Sequence, residues 1–298
     1  MRTTLDCLVC FMRQARSIGL LTTDNPAYQR QLLDTTGRFI EQMDENLSPP
    51  ENAAPLYQLF AGVLGTDDPF ARIKQESTAF ALSLKEELKQ RICAADDPLR
   101  AAIRVAIGGN IIDYGALHSF DAAATMQQCF DQEFVVDDYP ALLAALEKSE
   151  PEVLYLCDNC GETVFDGLLI EQLQVRGCRV TTAVRELPII NDATLEDARA
   201  AGLDKLCPVI SSGSDCPGTP LARCNEGFLE RFRSADLIIS KGMGNFETLS
   251  EEPGPIYFLF TVKCTQVARH LTKRQQLAPG TLTGAGEMVL LRQKLPSS

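Results

Sequence analysis

Polar side chains follow several apolar runs of the chain, and their types suit the binding of a cation and an anion. Asp158 and Asn159 come directly after VLYLC in the stretch VLYLCDNCGETVFD, residues 153–166. Asp192 lies in PIINDAT, and Lys241 follows the apolar run ADLIIS. Ligands of an open parallel sheet bind outside the carboxyl ends of its strands. We therefore expect these four side chains to share one site.

The chemistry of that site follows from its donor atoms. Oxygen atoms of Asp158, Asn159 and Asp192 would form an incomplete shell for Mg²⁺ or Mn²⁺, which water and a substrate phosphate would complete. Such a cation neutralises phosphoryl oxygens and can activate a bound water. Lys241 would add a positive charge for the phosphate, and the glycines after it let backbone approach a ligand closely. The combination predicts hydrolysis of a phosphate ester.

Each of these residues also has a plainer interpretation. The pair Asp158-Asn159 could cap a helix or form a turn. Asp192 precedes ATLEDA and could be the N-cap of a helix there. Lys241 stands before Gly-x-Gly and could lie in a solvated turn. Only the convergence of all of them at strand ends favours a site.

The cysteines offer a second kind of chemistry. The chain has eleven, scattered without the spacing of a disulfide framework, so most are expected to be reduced thiols packed as small hydrophobic groups. Cys157 and Cys160 have the spacing of a redox or zinc motif, but they flank Asp158 at the end of a predicted strand rather than opening a small redox domain. Cys7 and Cys10 could supply half of a soft-metal site.

The elements that must position these residues change in type along the chain. Residues 1–100 have apolar residues at helical spacing, which predicts an N-terminal helical lobe. From residue 101 to 298, the short apolar runs EVLYLC, CRVTTAV, CPVIS, ADLIIS and PIYFLF alternate with helical stretches. This alternation predicts an α/β domain with a mostly parallel sheet covered by helices on both faces.

Composition and charge exclude some partners. The net charge of −12 argues against nucleic acid or an anionic membrane as the main partner. No apolar run is long enough to span a bilayer, and the N-terminus reaches Asp6 too early for a secretory signal. We therefore expect a cytoplasmic protein that binds a small molecule.

The motifs DNCGETVFDGLLIEQL, PIINDAT, SGSDCPGT and SKGMGNFETL resemble, in this order, those of the damage-control phosphatase family, also called domain of unknown function 89. DCLVCFMRQA, GGNIIDYG and Cys264 in FTVKC resemble its compact, cysteine-containing prokaryotic branch. The resemblance spans nearly the whole chain. It implies a metal-dependent phosphatase with an α/β/α core and a helical N-terminal region. Members of the family act on small phosphometabolites, including sugar phosphates and pantetheine-type phosphates, to remove damaged or excess esters.

The resemblance also implies roles for individual residues. Asp158, Asn159 and Asp192 match the family's metal ligands, and Lys241 matches the lysine that faces the substrate phosphate. Asp158 could attack phosphorus directly or activate water. The positions that match the rest of the pocket are Glu162, Asn245, Gly213, Asp215, Asn110 and Asp113. The ion would be Mn²⁺, Mg²⁺, Ni²⁺ or Co²⁺, and Cys160, where the family commonly has alanine, places a soft ligand near it.

Two other functions compete with this one. A carboxyl methyltransferase that uses S-adenosylmethionine would need a glycine-rich loop after an early strand, and GETVFDG is a poor match to such a loop. A non-enzymatic protein could instead hold a soft metal through Cys7, Cys10 and Cys264. It would be indifferent to the loss of Asp158, whereas the phosphatase would not.

Overall fold

The structure is a computed structural model that describes residues 1–115 and 122–294, with side-chain detail for residues 1–109 and 127–294. Its helices are α1 (Leu5–Thr22), α2 (Pro26–Ile40), α3 (Pro49–Leu64), α4 (Ala71–Ala94), α5 (Pro98–Gly115), α6 (Ala122–Asp131), α7 (Tyr139–Leu146), α8 (Glu162–Val175), α9 (Leu195–Ala200), α10 (Glu226–Ser234), α11 (Met243–Leu249) and α12 (Thr265–Gln275). Its strands are β1 (Phe134–Asp137), β2 (Glu152–Leu156), β3 (Arg179–Val184), β4 (Val209–Ser211), β5 (Leu237–Lys241), β6 (Ile256–Val262) and β7 (Glu287–Arg292). None of the described helices is long and apolar enough to cross a membrane.

The strands form one seven-stranded sheet in the order β1-β7-β6-β5-β2-β3-β4. All neighbouring strands are parallel except β6 and β7. The five apolar runs singled out in the sequence form β2 to β6, which confirms the predicted mostly parallel sheet. The chain runs from β2 outward to β3 and β4, and then returns to place β5 on the other side of β2. This reversal is the point of the sheet where a ligand crevice is expected.

Successive residues of each strand point to opposite faces of the sheet, and each face has its own helices. Tyr155 and Ile239 belong to a core that includes α4, α5, α7 and α8. Leu154 and Ile238 belong to a second core with α10, α11 and α12. The result is the three-layer α/β/α architecture that the sequence predicted.

The helices α1, α2 and α3 enclose a separate hydrophobic cluster that includes Phe11, Leu32 and Phe60. Pro49 and Pro50 form the first turn of α3, where a proline loses no intrahelical hydrogen bond. The lobe boundary at residue 100 stays a prediction. Helix α4, which precedes that boundary, packs through Leu88 and Ile92 on the core of the sheet.

Candidate active site

The carboxyl ends of β2 and β5 lie side by side where the strand order reverses. The predicted site residues Asp158 and Lys241 are found at these two strand ends. Asp158 follows β2, and Gly242 follows Lys241 at the end of β5. Gly242 has φ of +80°. A Cβ at Gly242 would lie 2.0 Å from Oδ2 of Asp158, so only glycine leaves room for that carboxylate.

A loop after β3 brings Asp192 to the same place. The amide of Ala193 donates to the carbonyl oxygen of Asp158 at 2.8 Å, and Asn159 and Asp192 pair as an isolated antiparallel bridge. The helix cap that the sequence allowed for Asp192 is formed instead by Thr194, whose hydroxyl donates to Asp197. The carboxylate of Asp192 is therefore not occupied by helix capping.

Arg185 is the cation of this centre, and the sequence analysis missed it. Its Nε donates to Oδ2 of Asp192 at 2.8 Å, and its Nη2 lies 3.8 Å from Oδ1 of Asp158. Burial raises the pKa of Asp192, and Arg185 opposes that rise. Burial and then the charges of Asp192 and Glu162 raise the pKa of Asp158 well above its usual value. Burial of two carboxyl groups side by side therefore disfavours the ionisation of both unless a further cation joins them.

Asn159 and Glu162 stand on the wall of the same crevice. The Nδ2 atom of Asn159 donates to Oε1 of Glu162 at 3.0 Å, which makes its amide oxygen the atom that can bind a cation. Glu162 opens α8 and is almost fully buried.

Lys241 lies beneath the crevice rather than on its wall. Its ammonium group donates to Oδ1 of Asp166 at 2.7 Å, to Oε2 of Glu162 at 3.0 Å and to the carbonyl oxygen of Ala106 at 2.7 Å. Tyr155 donates to the same oxygen of Asp166 at 2.6 Å. Among the described side chains Lys241 thus orders a buried network behind Asp158, and its contact with a phosphate stays a prediction.

The donor set fits a hard divalent cation. Asp158 is nearly buried, and no hydrogen bond to its carboxylate is formed by the described residues. Asp192 and Asn159 add a second carboxylate and an amide oxygen beside it. Among the described residues, no group of three or more His, Cys, Asp or Glu side chains is arranged to hold a metal. A cation here would therefore need water or substrate as further ligands.

The crevice opens into a cavity of about 240 Å³. Its floor is formed by the ends of β2, β5 and β6 and its roof by the N-terminal helices α1 and α3. Gln14 of α1 accepts a hydrogen bond from the hydroxyl of Tyr57 at 2.9 Å, and both residues line the cavity. The helical lobe therefore covers the site.

Two further residues of the cavity wall, Lys263 and Glu247, were missed in the sequence. Lys263 follows β6, so the rule that selected Asp158 and Lys241, a polar side chain just after an apolar run, also selects it. Glu247 lies on α11, two residues beyond Asn245. The spacing of residues in the sequence does not show which of these two faces the cavity.

Two further predicted pocket residues, Asn245 and Gly213, lie outside the cavity wall. Asn245 is fully buried behind the wall, where its amide donates to the carbonyl oxygens of Cys157 and Lys241 and accepts from Thr219. Gly213 packs on the backbone of Asn225. Neither lines the cavity among the described residues. The side chains of Asn110 and Asp113 lie outside the described part of the structure.

Asp215 is paired with Arg223 at 2.6 Å and lines a neighbouring cavity of about 760 Å³. Tyr57 and Ile190 belong to the walls of both cavities, so the two spaces adjoin. Ile190 has φ of +47°, an unfavourable backbone conformation for a β-branched residue, and it precedes Asn191 and Asp192.

The cysteines do not assemble a metal centre in the described residues. Burial raises the pKa of Cys157 well above its usual value, and Cys160 is buried against the carbonyl oxygen of Lys74, whereas a reactive thiol needs a lowered pKa. Partial desolvation of the Cys10 thiol and then the proximity of Cys264 raise the pKa of Cys10, although part of the residue is exposed to solvent.

Known proteins are similar to this chain in sequence and in structure over nearly its whole length. A damage-control phosphatase of Pyrococcus horikoshii is 34% identical over 275 residues, which cover 91% of this chain and 94% of that protein. A damage-control phosphatase of Archaeoglobus fulgidus is 31% identical over 275 residues, 89% of this chain and 93% of that one. The crystal structure of a duf89 family protein from Pyrococcus horikoshii superposes with a TM-score of 0.87 at 33% identity, covering 99% of this chain and all of that one.

The family itself is identified by the domain that the chain matches. The damage-control phosphatase ARMT1-like domain matches residues 3–277, which include both the helical lobe and the sheet with its crevice. The chain therefore belongs to the damage-control phosphatase family, whose members are metal-dependent phosphatases.

Proposed function

We propose that this protein hydrolyses small phosphate monoesters with a divalent cation held by Asp158, Asn159 and Asp192. The observation that carries the proposal is the pairing of Asp158 and Asp192 at the strand reversal, buried and facing a cavity. Two buried carboxylates with one arginine between them leave negative charge uncompensated, and a divalent cation would offset it.

A cation bound there would neutralise phosphoryl oxygens and lower the pKa of a water molecule. Neighbouring residues of the protein hold these ligands in position. Arg185 fixes Asp192 through a 2.8 Å hydrogen bond, and Glu162 fixes the amide of Asn159. Asp158 is placed to act either as the nucleophile or as the base that takes a proton from water.

Positive charge for the substrate phosphate has two candidate sources. Lys263 lies on the cavity wall, where a phosphate group could contact its ammonium group. Lys241 is assigned the role of positioning Glu162 behind the wall, and it would reach a phosphate only by giving up one of its three hydrogen bonds.

The cavity beside Asp158 suits a small substrate. Its volume of about 240 Å³ lies below the range of about 300–1,000 Å³ typical of pockets for larger ligands, and the adjoining cavity of about 760 Å³ would admit part of a longer ester. Sugar phosphates and similar phosphometabolites fit the smaller space, and the names of the related damage-control phosphatases support removal of damaged or excess esters as the purpose. We assign the ion to Mn²⁺, Mg²⁺, Ni²⁺ or Co²⁺. A net charge of −12 and reduced thiols suit a cytoplasmic enzyme without nucleic-acid partners.

The proposal is tested by adding single metals back to metal-stripped protein and measuring hydrolysis of p-nitrophenyl phosphate and a panel of sugar phosphates. We expect turnover with at least one of Mn²⁺, Mg²⁺, Ni²⁺ and Co²⁺, and a loss of about 1,000-fold in Asp158→Ala. Asp24→Ala, at an exposed position of the lobe, is the control. Folded protein without turnover under any metal, together with bound zinc at the cysteines, would favour the non-enzymatic alternative.

A further inference from the structure

Glu247 is a buried carboxyl group in the wall of the catalytic cavity with no partner for its side chain among the described residues. It lies on α11, directly after the crevice glycines, and its exposed fraction is 8%. Within the described part of the chain, no hydrogen bond or salt bridge is made by its carboxyl group. Glu247 also lines the cavity in which a substrate would lie.

The surroundings of Glu247 are mostly apolar. Helix α3 packs against α11 and contributes Pro50 and Ala53 to the same cavity wall. The charged groups on the neighbouring elements are few. The ammonium group of Met1 donates to the carbonyl oxygen of Glu247 at 2.9 Å and pairs with Glu251 at 3.5 Å.

Six more titratable side chains face this region from the elements around it. Cys10 of α1 lies near enough for Glu247 to raise its pKa. The other five line the same cavity, and they are Tyr57 of α3, Asp158 after β2, Glu162 of α8, Asp192 after β3 and Lys263 after β6. Burial raises the pKa of Glu247 to about 8, and the ammonium group of Met1 opposes the rise. At neutral pH the carboxyl group of Glu247 is thus largely protonated and carries an O–H donor.

We propose that Glu247 is the general acid that protonates the leaving oxygen of the phosphate ester. This inference rests on the proposed function. Asp158, Asn159 and Asp192 serve the phosphoryl side of the reaction through a cation and the attacking group. Glu247 lies on the part of the wall formed by α11, which packs against α3, and we place the alcohol portion of the ester there. Separate environments for two carboxyl groups in one pocket are the usual basis for separate acid and base roles.

The proton and electron balance of the step is complete. The bond between phosphorus and the ester oxygen breaks, and its electron pair stays on the oxygen. The proton of Glu247 moves to that oxygen, so a neutral alcohol leaves and a carboxylate remains. Water supplies the hydroxyl group that phosphorus gains, and its other proton returns to Glu247 through solvent. The sum is one ester and one water giving one alcohol and one phosphate.

The leaving group makes the test selective. An alkyl alcohol is a poor leaving group that needs protonation, whereas p-nitrophenolate leaves without it. For Glu247→Gln we expect kcat for an alkyl phosphate to fall about 100- to 1,000-fold and kcat for p-nitrophenyl phosphate to fall less than about 3-fold. In the wild type, the rate with the alkyl ester should decline above about pH 8, and this decline should disappear in the variant. Glu251→Gln, at an exposed position four residues along the chain, is the matched control.

Other outcomes would overturn the assignment. Equal losses with both esters would make Glu247 a structural or metal-positioning residue, and no loss with either would remove it from catalysis. If Glu247→Gln does not fold, the general acid can still be tested on the wild-type enzyme. Rates over a series of esters should depend weakly on the pKa of the leaving alcohol below pH 8 and steeply above it. A steep dependence at both pH values would refute the general acid. A wild type that hydrolyses no ester would instead refute the proposed function.

Discussion

Arg185 and Asp192 form a buried ion pair at the centre of the site, with Nε 2.8 Å from Oδ2 and exposed fractions of 2% and 3%. The same guanidinium group donates through Nη1 to the hydroxyl of Thr219 at 2.8 Å. Its Nη2 has no hydrogen-bond partner among the described residues and lies 3.8 Å from Asp158. One arginine therefore holds two carboxylates whose mutual repulsion would otherwise separate them.

Removing this guanidinium group should destabilise the protein in a pH-dependent way. Arg185→Met leaves Asp192 and Asp158 buried without their cation, and loss of one partner of a buried pair costs about 3–5 kcal/mol. The free energy of unfolding should fall most at pH 8 and less at pH 5, because protonation of the carboxyl groups removes the uncompensated charge. Urea unfolding at both pH values measures the effect.

The control for that experiment is Arg199→Met on the exposed surface of α9, for which we expect a change within about 0.5 kcal/mol. Addition of a divalent cation should recover part of the stability lost by Arg185→Met, since it replaces the missing charge. An Arg185→Met loss that is the same at pH 5 and pH 8 would contradict the electrostatic account.

Gly242 should be intolerant of a methyl group for a reason beyond its backbone conformation. Its φ is +80°, and a Cβ would lie 2.0 Å from Oδ2 and 2.7 Å from Oδ1 of Asp158. Gly242→Ala should therefore displace that carboxylate, weaken binding of the activating cation and lower kcat/KM about 100-fold or more. Calorimetric titration with Mn²⁺ and steady-state kinetics measure the two effects.

Gly65 provides a control because it has φ of +70° and a Cβ added there would meet no described atom within 4 Å. Gly65→Ala carries a penalty of about 1 kcal/mol for a left-handed backbone without the contact, whereas Gly242, with ψ of 163°, has a backbone conformation that is more costly for alanine. We expect it to lower stability while leaving activity unchanged. If both glycine variants lose activity equally, contact with Asp158 is not what Gly242 provides.

The apolar runs predicted the five contiguous strands from β6 to the edge strand β4, because strands covered on both faces are nearly continuous in hydrophobicity. They did not predict β1 or β7. β1 has four residues of which only Phe134 is buried, and β7 is a short apolar run that periodicity cannot distinguish from helix. The antiparallel position of β7 between β6 and β1 depends on packing that local sequence does not encode.

Site residues at strand ends were predictable because parallel strands deliver their carboxyl ends to one edge. Residues on the short helix α11 were not. Asn245 and Glu247 are two positions apart and so point about 200° apart on a helix, and only the rotation of the packed helix decides which one faces the cavity. Arg185 also escaped notice, because a lone arginine after a strand gives no signal until Asp192 is placed against it.

Glu247 should make stability decline as the pH rises. Its pKa is about 8 in the folded protein and 4.5 when exposed, so the folded state holds a proton that the unfolded state loses between these values. The free energy of unfolding should therefore decrease from about pH 4.5 to about pH 8 through this group. In Glu247→Gln that part of the decrease should be absent, whereas Glu251→Gln should retain it. Chemical unfolding in a series of buffers gives both curves, and identical slopes in the two variants would contradict the burial of an unpaired acid.

Replacement by methionine should destabilise the protein much more at Lys241 than at Lys263. Lys241 is 1% exposed and donates to Glu162, Asp166 and a carbonyl oxygen, and these carboxylates raise its pKa despite its burial. Lys241→Met should cost about 3–5 kcal/mol, and adding Asp166→Asn should recover part of that loss by removing one unpaired charge. Lys263 is exposed at the cavity wall, so Lys263→Met should lower stability by less than Lys241→Met does, because solvent screens the charge of an exposed side chain.

The effects on KM should have the opposite order, with the larger rise in Lys263→Met. Lys263→Met should raise KM for a phosphate ester about 10-fold or more by removing a charge that contacts the phosphate. The folded double variant with Lys241→Met and Asp166→Asn should keep a KM close to that of the wild type if Lys241 only positions Glu162. A large rise in KM for that double variant, with unchanged KM in Lys263→Met, would instead place Lys241 on the phosphate. It would also mean that the ammonium group leaves Asp166 when substrate binds, since all three of its hydrogens are otherwise engaged.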